Sequence, residues 1–281
     1  MSKKKCDLAG AAVALTGGAN GIGRATVQEL HRRGARITVG DLDIEAAERV
    51  AAELGNNVVP VKLDVSDVES YKTFLDAAES AHGPLDVVVN NAGIDWIGPF
   101  LDKPLEAAAK EIAVNLMGTT IGSQLALQRM VPRRRGHVVN VASANGRLPG
   151  PGSSVYTATK YGIVGLTESL RLEFRNSGVQ FSLIHPGQID TAMLSGTARP
   201  SKLVPVIGPD QVGRAIADAV EHQRFDVWVP ANTAIGGRLG NVVPRAFYEQ
   251  TLLALGVDKI ALDVDLDARR NYHDRMFGDT Q

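Results

Sequence analysis

Two groups of residues in this sequence could carry out chemistry together, although they lie far apart along the chain. Tyr156 and Lys160 are spaced so that a helix would place the phenol and the ammonium on one face. A free phenol has a pKa near 10, and a nearby positive charge moves it towards the range useful for acid–base catalysis. The segment 16–23 carries glycines at positions 17, 21 and 23, which suit a dinucleotide pyrophosphate. A nicotinamide held beside such a tyrosine predicts hydride transfer to or from a carbonyl carbon.

The glycine segment directly follows an apolar run that ends at Thr16. Glycine allows positive φ and lets a phosphate approach the backbone without a Cβ in the way. A helix that begins near Ile22 would direct its N-terminal N–H groups and its dipole at that anion. Alone, the glycines also fit a tight strand-to-helix turn, and the Tyr156–Lys160 spacing also fits an ordinary exposed helix face. The order of the two motifs along the chain favours a shared site.

Asp41, at the end of the second apolar run, bears on the choice of cofactor. A carboxylate at this point can accept hydrogen bonds from the adenosine ribose hydroxyls, and it would repel a 2′-phosphate. Asp43 adds a second negative charge, and no Arg or Lys lies between Gly40 and Glu48. The sequence therefore predicts NAD rather than NADP. A role for Asp41 in capping a helix that begins near Ile44 is compatible with this interpretation.

The elements that must position these residues alternate along the chain. Near-continuous apolar runs, typical of buried parallel strands, occupy residues 12–16, 36–40, 58–63, 86–90, 137–142, 180–184 and 226–229. Amphipathic segments predict helices at residues 22–33, 44–54, 68–81, 105–130, 155–176 and 210–222. Strand and helix in alternation predict an α/β fold, a Rossmann-type doubly wound parallel sheet of about seven strands with helices on both faces.

Composition excludes several other classes. The 281 residues are 44% hydrophobic with a net charge of −1, so electrostatics favours neither nucleic acid nor an anionic membrane as partner. A single cysteine, Cys6, allows no intrachain disulfide, and no run reads as a signal peptide or an integral membrane segment, so we expect a cytoplasmic protein. The six histidines lack metal-ligand spacing, so no metal is expected. The sequence contains no Gly-x-Ser-x-Gly motif, which counts against an esterase.

Further motifs, in order along residues 10–230, resemble the short-chain dehydrogenase/reductase family. Beyond the spacing Gly17-x-x-x-Gly21-x-Gly23, they are Asp64-Val65 after the third strand, Asn90-Asn91-Ala92-Gly93 after the fourth, Asn115 in the long helix, Ser143 with Tyr156 and Lys160, and Pro186-Gly187 with Thr191. Asn20 stands where many NADP-using members carry Arg, which agrees with the interpretation of Asp41.

The resemblance implies a role for each matched residue. Tyr156 would be the general acid/base, Ser143 would stabilise the substrate oxygen, and Lys160 would modulate the tyrosine pKa and bind ribose. Asn115 would hold a water that links Lys160 to solvent. The implied NAD-binding residues are Gly17, Asn20, Gly21, Ile22, Gly23, Asp41, Asp64, Val65, Asn91, Ala92, Gly93, Tyr156, Lys160, Pro186, Gly187, Ile189 and Thr191.

Three segments should frame the substrate by the same resemblance. They follow Gly93, Ser143 and Thr191, and their implied substrate contacts are Asp95, Trp96, Ser143, Asn145, Met193 and Leu194. The third segment, 192–207, is rich in apolar side chains that include Leu203, Val204, Val206 and Ile207. We expect it to be a mobile flap over a mostly apolar secondary alcohol or ketone, with simple packing on the protein body as the alternative.

The chain is expected to be one oxidoreductase domain, 1–281, with a core at about 10–230 and a C-terminal extension at 231–281. The extension carries one predicted helix at 244–255 and a charged stretch at 262–276, expected to pack over the pocket mouth or against another subunit. The helical segments 105–130 and 155–176 have apolar faces beyond what the sheet needs. In the family they pair across a two-fold axis, so we expect a homodimer or homotetramer.

These observations predict an NAD-dependent enzyme that acts on a CH–OH group of a small molecule. One alternative is an NAD-binding regulator without turnover, which would not need Asn115, Ser143, Tyr156 and Lys160 together. A sugar-nucleotide epimerase or dehydratase is a second alternative, since it shares Tyr-x-x-x-Lys. Its glycine pattern is Gly-x-x-Gly-x-x-Gly, however, and it usually carries a larger C-terminal domain.

Overall fold

The computed structural model describes residues 6–197, 205–239 and 243–278. The described residues form nine strands: β1 (Ala12–Thr16), β2 (Arg36–Asp41), β3 (Val58–Lys62), β4 (Val87–Asn90), β5 (Gly136–Val141), β6 (Val179–Pro186), β7 (Gln188–Ile189), β8 (Val206–Ile207) and β9 (Asp226–Val229). Their α-helices are α1 (Gly21–Arg32), α2 (Ile44–Leu54), α3 (Val68–His82), α4 (Leu105–Glu111), α5 (Gly118–Met130), α6 (Ser154–Glu173), α7 (Pro209–Glu221), α8 (Thr233–Leu239), α9 (Arg245–Ala254), α10 (Lys259–Leu262) and α11 (Leu266–Phe277).

Seven of the strands form one parallel sheet in the order β3-β2-β1-β4-β5-β6-β9. The order reverses between β1 and β4, which is the position where open α/β sheets bind ligands. Thr16 is aligned with Gly40, and Asn90 with Asn140, so the carboxyl ends of four adjacent strands meet at one edge. The predicted fold class and all seven predicted strands are therefore confirmed.

Apolar side chains cover both faces of this sheet, which explains the continuous apolar runs of the strands. On one face, Val13 and Leu15 pack in a core with helices α1, α2 and α7. On the other face, Ala14 and Val88 pack in a core with α3 and α5. Burial on both sides removes the alternation that a half-exposed strand would show.

The long helix predicted at 105–130 is interrupted in the structure. Helix α4 ends at Glu111, a π-helical turn follows at Ile112–Met117, and α5 continues from Gly118. A π-helical turn adds one residue to the helical repeat and is often found at functional sites. Here it contains the buried Asn115.

The two short strands β7 and β8 were not predicted and pair with each other outside the main sheet. β7 precedes the predicted flap and β8 forms its last two residues, whereas Leu203 and Val204 lie outside the described residues. After β9 the described parts of the extension are helical. Helix α9 confirms the predicted helix at 244–255, and α11 occupies the charged stretch. No helix among the described residues is long and apolar enough to cross a bilayer.

Candidate active site

A cavity of about 1050 Å³ opens at the carboxyl edge of the sheet, where the strand order reverses. It extends from the glycine segment after β1, past the segment after β4, to Ser143 and Tyr156. Every residue predicted to bind the cofactor lines it. The predicted catalytic residues Ser143, Tyr156 and Lys160 line it as well.

Glycines are required in the β1–α1 turn because neighbouring backbone atoms lie too close to leave room for a Cβ. A Cβ on Gly17, which has a φ of 67°, would lie 2.8 Å from Ala92 Cα, and a Cβ on Gly23 would lie 1.9 Å from the Gly17 carbonyl oxygen. The Thr16 hydroxyl accepts hydrogen bonds from the backbone N–H groups of Asn91 and Ala92, both at 3.1 Å. The glycine turn and the segment after β4 are therefore held together as one wall.

The N-terminus of α1 is open towards this cavity. Asn20 makes no side-chain cap, and the first turn contains no acidic residue. Free N–H groups and the positive end of the helix dipole thus remain for an anion, which fits the pyrophosphate of a dinucleotide. The Asn91 side chain is instead structural, because its amide donates to the carbonyl oxygens of Thr16 and Gly17.

Asp41 lies where β2 ends, and its carboxylate borders the cavity. One oxygen accepts a hydrogen bond from Ala19 N at 2.9 Å, and the other accepts from Asp43 N at 3.1 Å. Burial raises the pKa of this carboxyl above its usual value, which these backbone hydrogen bonds oppose. Asp43, not Asp41, caps α2 by accepting from Ala46 N. The capping role considered for Asp41 therefore belongs to its neighbour.

Lys160 is held beside Tyr156 by the end of β5. Its ammonium donates to the Val141 carbonyl oxygen at 3.0 Å, and it lies 5.3 Å from the centre of the Tyr156 ring. Burial lowers the pKa of Lys160 to about 8. The lysine can therefore exchange a proton near neutral pH.

Burial is the largest influence on Tyr156 and raises its pKa above the usual value. The charge of Asp95 acts in the same direction, and a hydrogen bond with the Ser143 side chain acts in the opposite one. The sequence suggested a lowered pKa because of Lys160. In the protein alone, burial is the stronger influence, so the phenol is neutral at physiological pH. Stabilising the phenolate requires further positive charge beside it.

Asn115 connects the π-helical turn to two other parts of the site. Its side chain accepts from Ile94 N at 2.8 Å and donates to the Ile94 carbonyl oxygen at 2.9 Å and to the Thr159 hydroxyl at 3.2 Å. It does not line the cavity. Its amide is engaged with protein groups, and its implied role in holding a water stays a prediction.

The backbone of Ser143 contacts the buried His185, which was not among the site residues predicted from the sequence. Nδ1 of His185 lies 3.2 Å from the Ser143 carbonyl oxygen, and its Nε2 lies 3.1 Å from an oxygen of Asp226. Its ring stacks on Trp228 at 4.4 Å. These contacts hold the backbone of Ser143, which follows β5, in place.

Of the predicted substrate contacts, Asp95, Ser143, Asn145, Met193 and Leu194 line the cavity. The prediction for Trp96 is wrong, because this residue does not line it. Its ring instead stacks on His273 at 5.6 Å and lies 5.5 Å from the Lys103 ammonium.

Asp95 belongs to a buried group of charges that sequence reasoning missed. Ser153 donates to one of its oxygens at 3.0 Å. Burial raises the pKa of Asp95 to about 7, and the charge of Glu111 adds to this. Glu111 is fully buried, is ion-paired with Lys103, and accepts from Trp96 N. Burial raises the pKa of Glu111 as well, and its ion pair with Lys103 and the hydrogen bond from Trp96 N oppose this.

The C-terminal extension supplies the outer wall of the cavity. The residues that contribute are mostly apolar: Leu252, Leu255, Val257, Ile260, Ala261, Tyr272, Arg275 and Met276. The expected packing of the extension over the pocket mouth is therefore what the structure has. No sequence signal identified these residues individually, since their contact with the site depends on how the extension folds back.

Comparisons with known proteins agree with this geometry. The family model described as short chain dehydrogenase matches residues 11–201. A Mycobacterium tuberculosis protein described as probable oxidoreductase EphD is 36% identical over 257 residues, which cover 83% of this chain and 43% of that protein. The chain thus spans less than half the length of that relative.

Two further relatives are more similar in length to this chain. The 3-alpha-(or 20-beta)-hydroxysteroid dehydrogenase of Mycobacterium tuberculosis is 37% identical over 186 residues, which cover 66% of this chain and 72% of that protein. The crystal structure of a short chain dehydrogenase/reductase from Burkholderia phymatum in complex with NAD superposes with a TM-score of 0.76 at 26% identity. It covers 84% of this chain and 94% of its own.

Proposed function

Because the chain belongs to the short chain dehydrogenase family, we propose that it is an NAD-dependent oxidoreductase that interconverts a secondary alcohol and a ketone. The observation that carries this proposal is the single cavity that joins the open N-terminus of α1 to Ser143, Tyr156 and Lys160. A dinucleotide bound along it would have its adenosine ribose near Asp41, its pyrophosphate at the N-terminus of α1 and its nicotinamide near Tyr156.

The chain's own residues would bind and move a proton at the substrate oxygen. Bound NAD would supply the hydride acceptor. As a phenolate, Tyr156 would take the proton of the alcohol during oxidation, and as the neutral phenol it would return that proton during ketone reduction. The Ser143 hydroxyl would donate a hydrogen bond to the same oxygen. The Lys160 ammonium favours the phenolate form of Tyr156 and can pass the proton on, since its pKa is about 8.

A preference for NAD over NADP is supported by Asp41. Its carboxylate lies at the edge of the cavity after β2, with Asp43 nearby and no ion-paired Arg or Lys beside it among the described residues. A 2′-phosphate placed there would meet two negative charges. The Burkholderia phymatum relative was crystallised with NAD, which is in line with this preference.

The substrate is proposed to be bulky and mostly apolar. The cavity that Tyr156 lines is also lined by Met193 and Leu194 after β7, Leu148 after β5, and Leu252 and Ile260 of the extension. The Mycobacterium tuberculosis relative named for hydroxysteroids supports the same substrate class.

The first experiment is to follow NADH formation from NAD with secondary alcohols that range from polyols to bulky lipophilic compounds. Tyr156→Phe should lower turnover by about 10²–10⁴-fold, the usual contribution of a positioned acid–base group. Tyr161→Phe is a matched control, because this tyrosine lies on α6 with 45% of its surface exposed. Equal activity of the two variants would refute the role of Tyr156.

Calorimetry of NAD binding to the same samples separates the outcomes. Tight NAD binding without turnover of any alcohol would favour the NAD-binding regulator over the enzyme. Equal turnover of polyols and lipophilic alcohols would contradict the apolar substrate class while leaving the reaction in place.

A further inference from the structure

Arg269 is the largest fully buried side chain among the described residues, and it lies outside the segment that the family model matches. It belongs to α11 in the C-terminal extension. None of the described carboxylates forms an ion pair with it, and burial lowers its pKa. A guanidinium is costly to bury unless its N–H groups are hydrogen-bonded. Its partners therefore show what the burial achieves.

Those partners are backbone carbonyls of two segments that frame the substrate, together with His273 of α11, whose Nε2 accepts from Arg269 Nε at 3.2 Å. Arg269 donates to the carbonyl oxygens of Met193 at 2.7 Å and Ser195 at 3.0 Å, both after Thr191. It also donates to the Asp95 carbonyl oxygen at 3.0 Å, in the segment after Gly93. One side chain of the extension thus joins two walls of the cavity.

Other contacts of α11 fix the same two segments. The Tyr272 hydroxyl accepts from Asp95 N at 3.2 Å, so the backbone of Asp95 is bound on both sides. Asp265 N donates to the Gly196 carbonyl oxygen at 2.8 Å. A Cβ on Gly196, which has a φ of 72°, would lie 2.4 Å from the Asp265 carbonyl oxygen. Only a glycine allows the segment to approach α11 this closely.

The second framing segment, the loop after Ser143, contacts the extension as well. A Cβ on Gly152, in the loop after Ser143, would lie 2.5 Å from the Ala261 carbonyl oxygen. Gly152 in turn accepts a hydrogen bond from Gly98 N at 2.9 Å. All three segments that frame the substrate therefore pack on the extension or on one another, with Arg269 as the shared polar contact of the first and the third.

We propose that Arg269 is a positioning residue that holds the substrate walls in place and so sets the preference for bulky substrates. The proposal rests on the oxidoreductase function proposed above. Moving either the Met193–Ser195 backbone or the Asp95 backbone away would deprive the buried cation of some of its hydrogen-bond acceptors. The guanidinium therefore keeps these walls ordered before substrate arrives, and ordering that is already present lowers the cost of binding.

Hydrogen exchange measured by mass spectrometry tests this without any substrate. In Arg269→Met, which keeps an unbranched apolar stem but no donors, exchange should rise about tenfold in residues 93–97 and 192–197 as these backbones open. Exchange in residues 17–23 should not change. Arg269→Lys, with a compact ammonium that cannot span three carbonyls, is the second variant should the methionine variant fold poorly.

Arg270→Met is the matched control. This neighbour is exposed and pairs with Asp267 on the surface of α11. It should show the exchange of the unmodified protein throughout. A rise confined to α11 in the Arg269 variants, or one spread through the sheet, would overturn the proposal, because it would indicate support of the helix or of the whole fold.

Kinetics supply the second readout. For a bulky alcohol the Arg269 variants should raise KM about tenfold with little change in kcat, since wall order contributes to binding rather than to proton transfer. The KM for NAD should stay unchanged, and a small alcohol should be affected less. Equal losses for both alcohols would overturn the proposal. Should no alcohol be oxidised by the unmodified protein, the oxidoreductase function fails, and the exchange measurement still decides whether Arg269 orders the walls.

Discussion

Asp41 and Asp43 lie two residues apart and have different structural roles. Asp41 faces the cavity and is held by Ala19 N, whereas Asp43 caps α2. Asp41→Ser should therefore lower the preference for NAD over NADP by about tenfold or more, because the charge that repels a 2′-phosphate is removed. Calorimetry with both cofactors measures this ratio.

Asp43→Asn is the control for that variant, since asparagine caps helices about as well as aspartate. It should keep most of the NAD preference and the stability of the unmodified protein. An unmodified protein that binds NADP more tightly than NAD would contradict the role given to Asp41.

The buried carboxyl of Asp95 predicts a pH-dependent stability. Its pKa is about 7 in the folded protein, above the value of about 3.9 expected when unfolded. The protonated form is thus favoured by folding, and this contribution is lost as pH rises from about 4 to about 7. Asp95→Asn mimics the protonated acid. Between pH 5 and pH 8, the free energy of unfolding should fall in the unmodified protein by about 1–3 kcal/mol more than it does in Asp95→Asn.

Urea unfolding at the two pH values measures that difference. Glu111, Lys103, Ser153, Tyr156, Arg269 and Tyr272 surround Asp95 and remain in place in the variant. Asp267→Asn, on the exposed face of α11, should not change the pH dependence. Parallel pH profiles for Asp95→Asn and the unmodified protein would show that Asp95 is ionised throughout this range.

At the scale of the elements, the β1–α1 turn tolerates no side chain at Gly23. A Cβ there would lie 1.9 Å from the Gly17 carbonyl oxygen, so Gly23→Ala must displace the turn that we propose receives the pyrophosphate. NAD affinity should fall by at least about tenfold. Gly165→Ala is the matched control, since a Cβ within α6 meets open space and should stabilise the helix by about 0.5–1 kcal/mol. Equal NAD affinity in both variants would contradict the prediction.

Elements with a strong local signal were predictable from the sequence. The strands were apolar throughout because both faces of the sheet are covered, and the glycine turn follows β1 because the backbone must approach Ala92 closely. The π-helical turn around Asn115 has no periodicity of its own, so a continuous helix was expected. β7 and β8 are too short to show a pattern.

The substrate end was less predictable because its contacts are distant in sequence. Trp96 was assigned to the cavity, but its ring is held by Lys103 and by His273 of the extension. Arg269 looked like one more charge in a charged stretch. Only the packing of α11 on the segments after Gly93 and Thr191 distinguishes it from the exposed Arg270.

At the scale of the whole molecule, exposed apolar side chains gather on the helices that follow β4 and β5. Leu105, Ile112 and Met117 on and after α4, and Leu172 on α6, are the residues concerned. We expect these faces to pack against a second copy of the chain. Met117→Glu should therefore lower the mass measured by light scattering from that of a dimer or tetramer.

Val68→Glu is the matched control, because Val68 is exposed to a similar extent but lies at the start of α3. Its mass should equal that of the unmodified protein. A monomeric unmodified protein would contradict the expected assembly and leave the apolar faces without a partner.

The outer wall of the cavity comes from a different part of the chain than the proposed catalytic residues, and this matters for how the protein can evolve. The glycine turn, Ser143, Tyr156 and Lys160 lie within residues 11–201, the part that the family shares, whereas Leu252, Ile260 and Met276 of the outer wall lie beyond it. Mutations in that wall can accumulate without altering the residues that we propose move the proton. Such mutations would change which molecules the cavity accepts while the reaction stays the same.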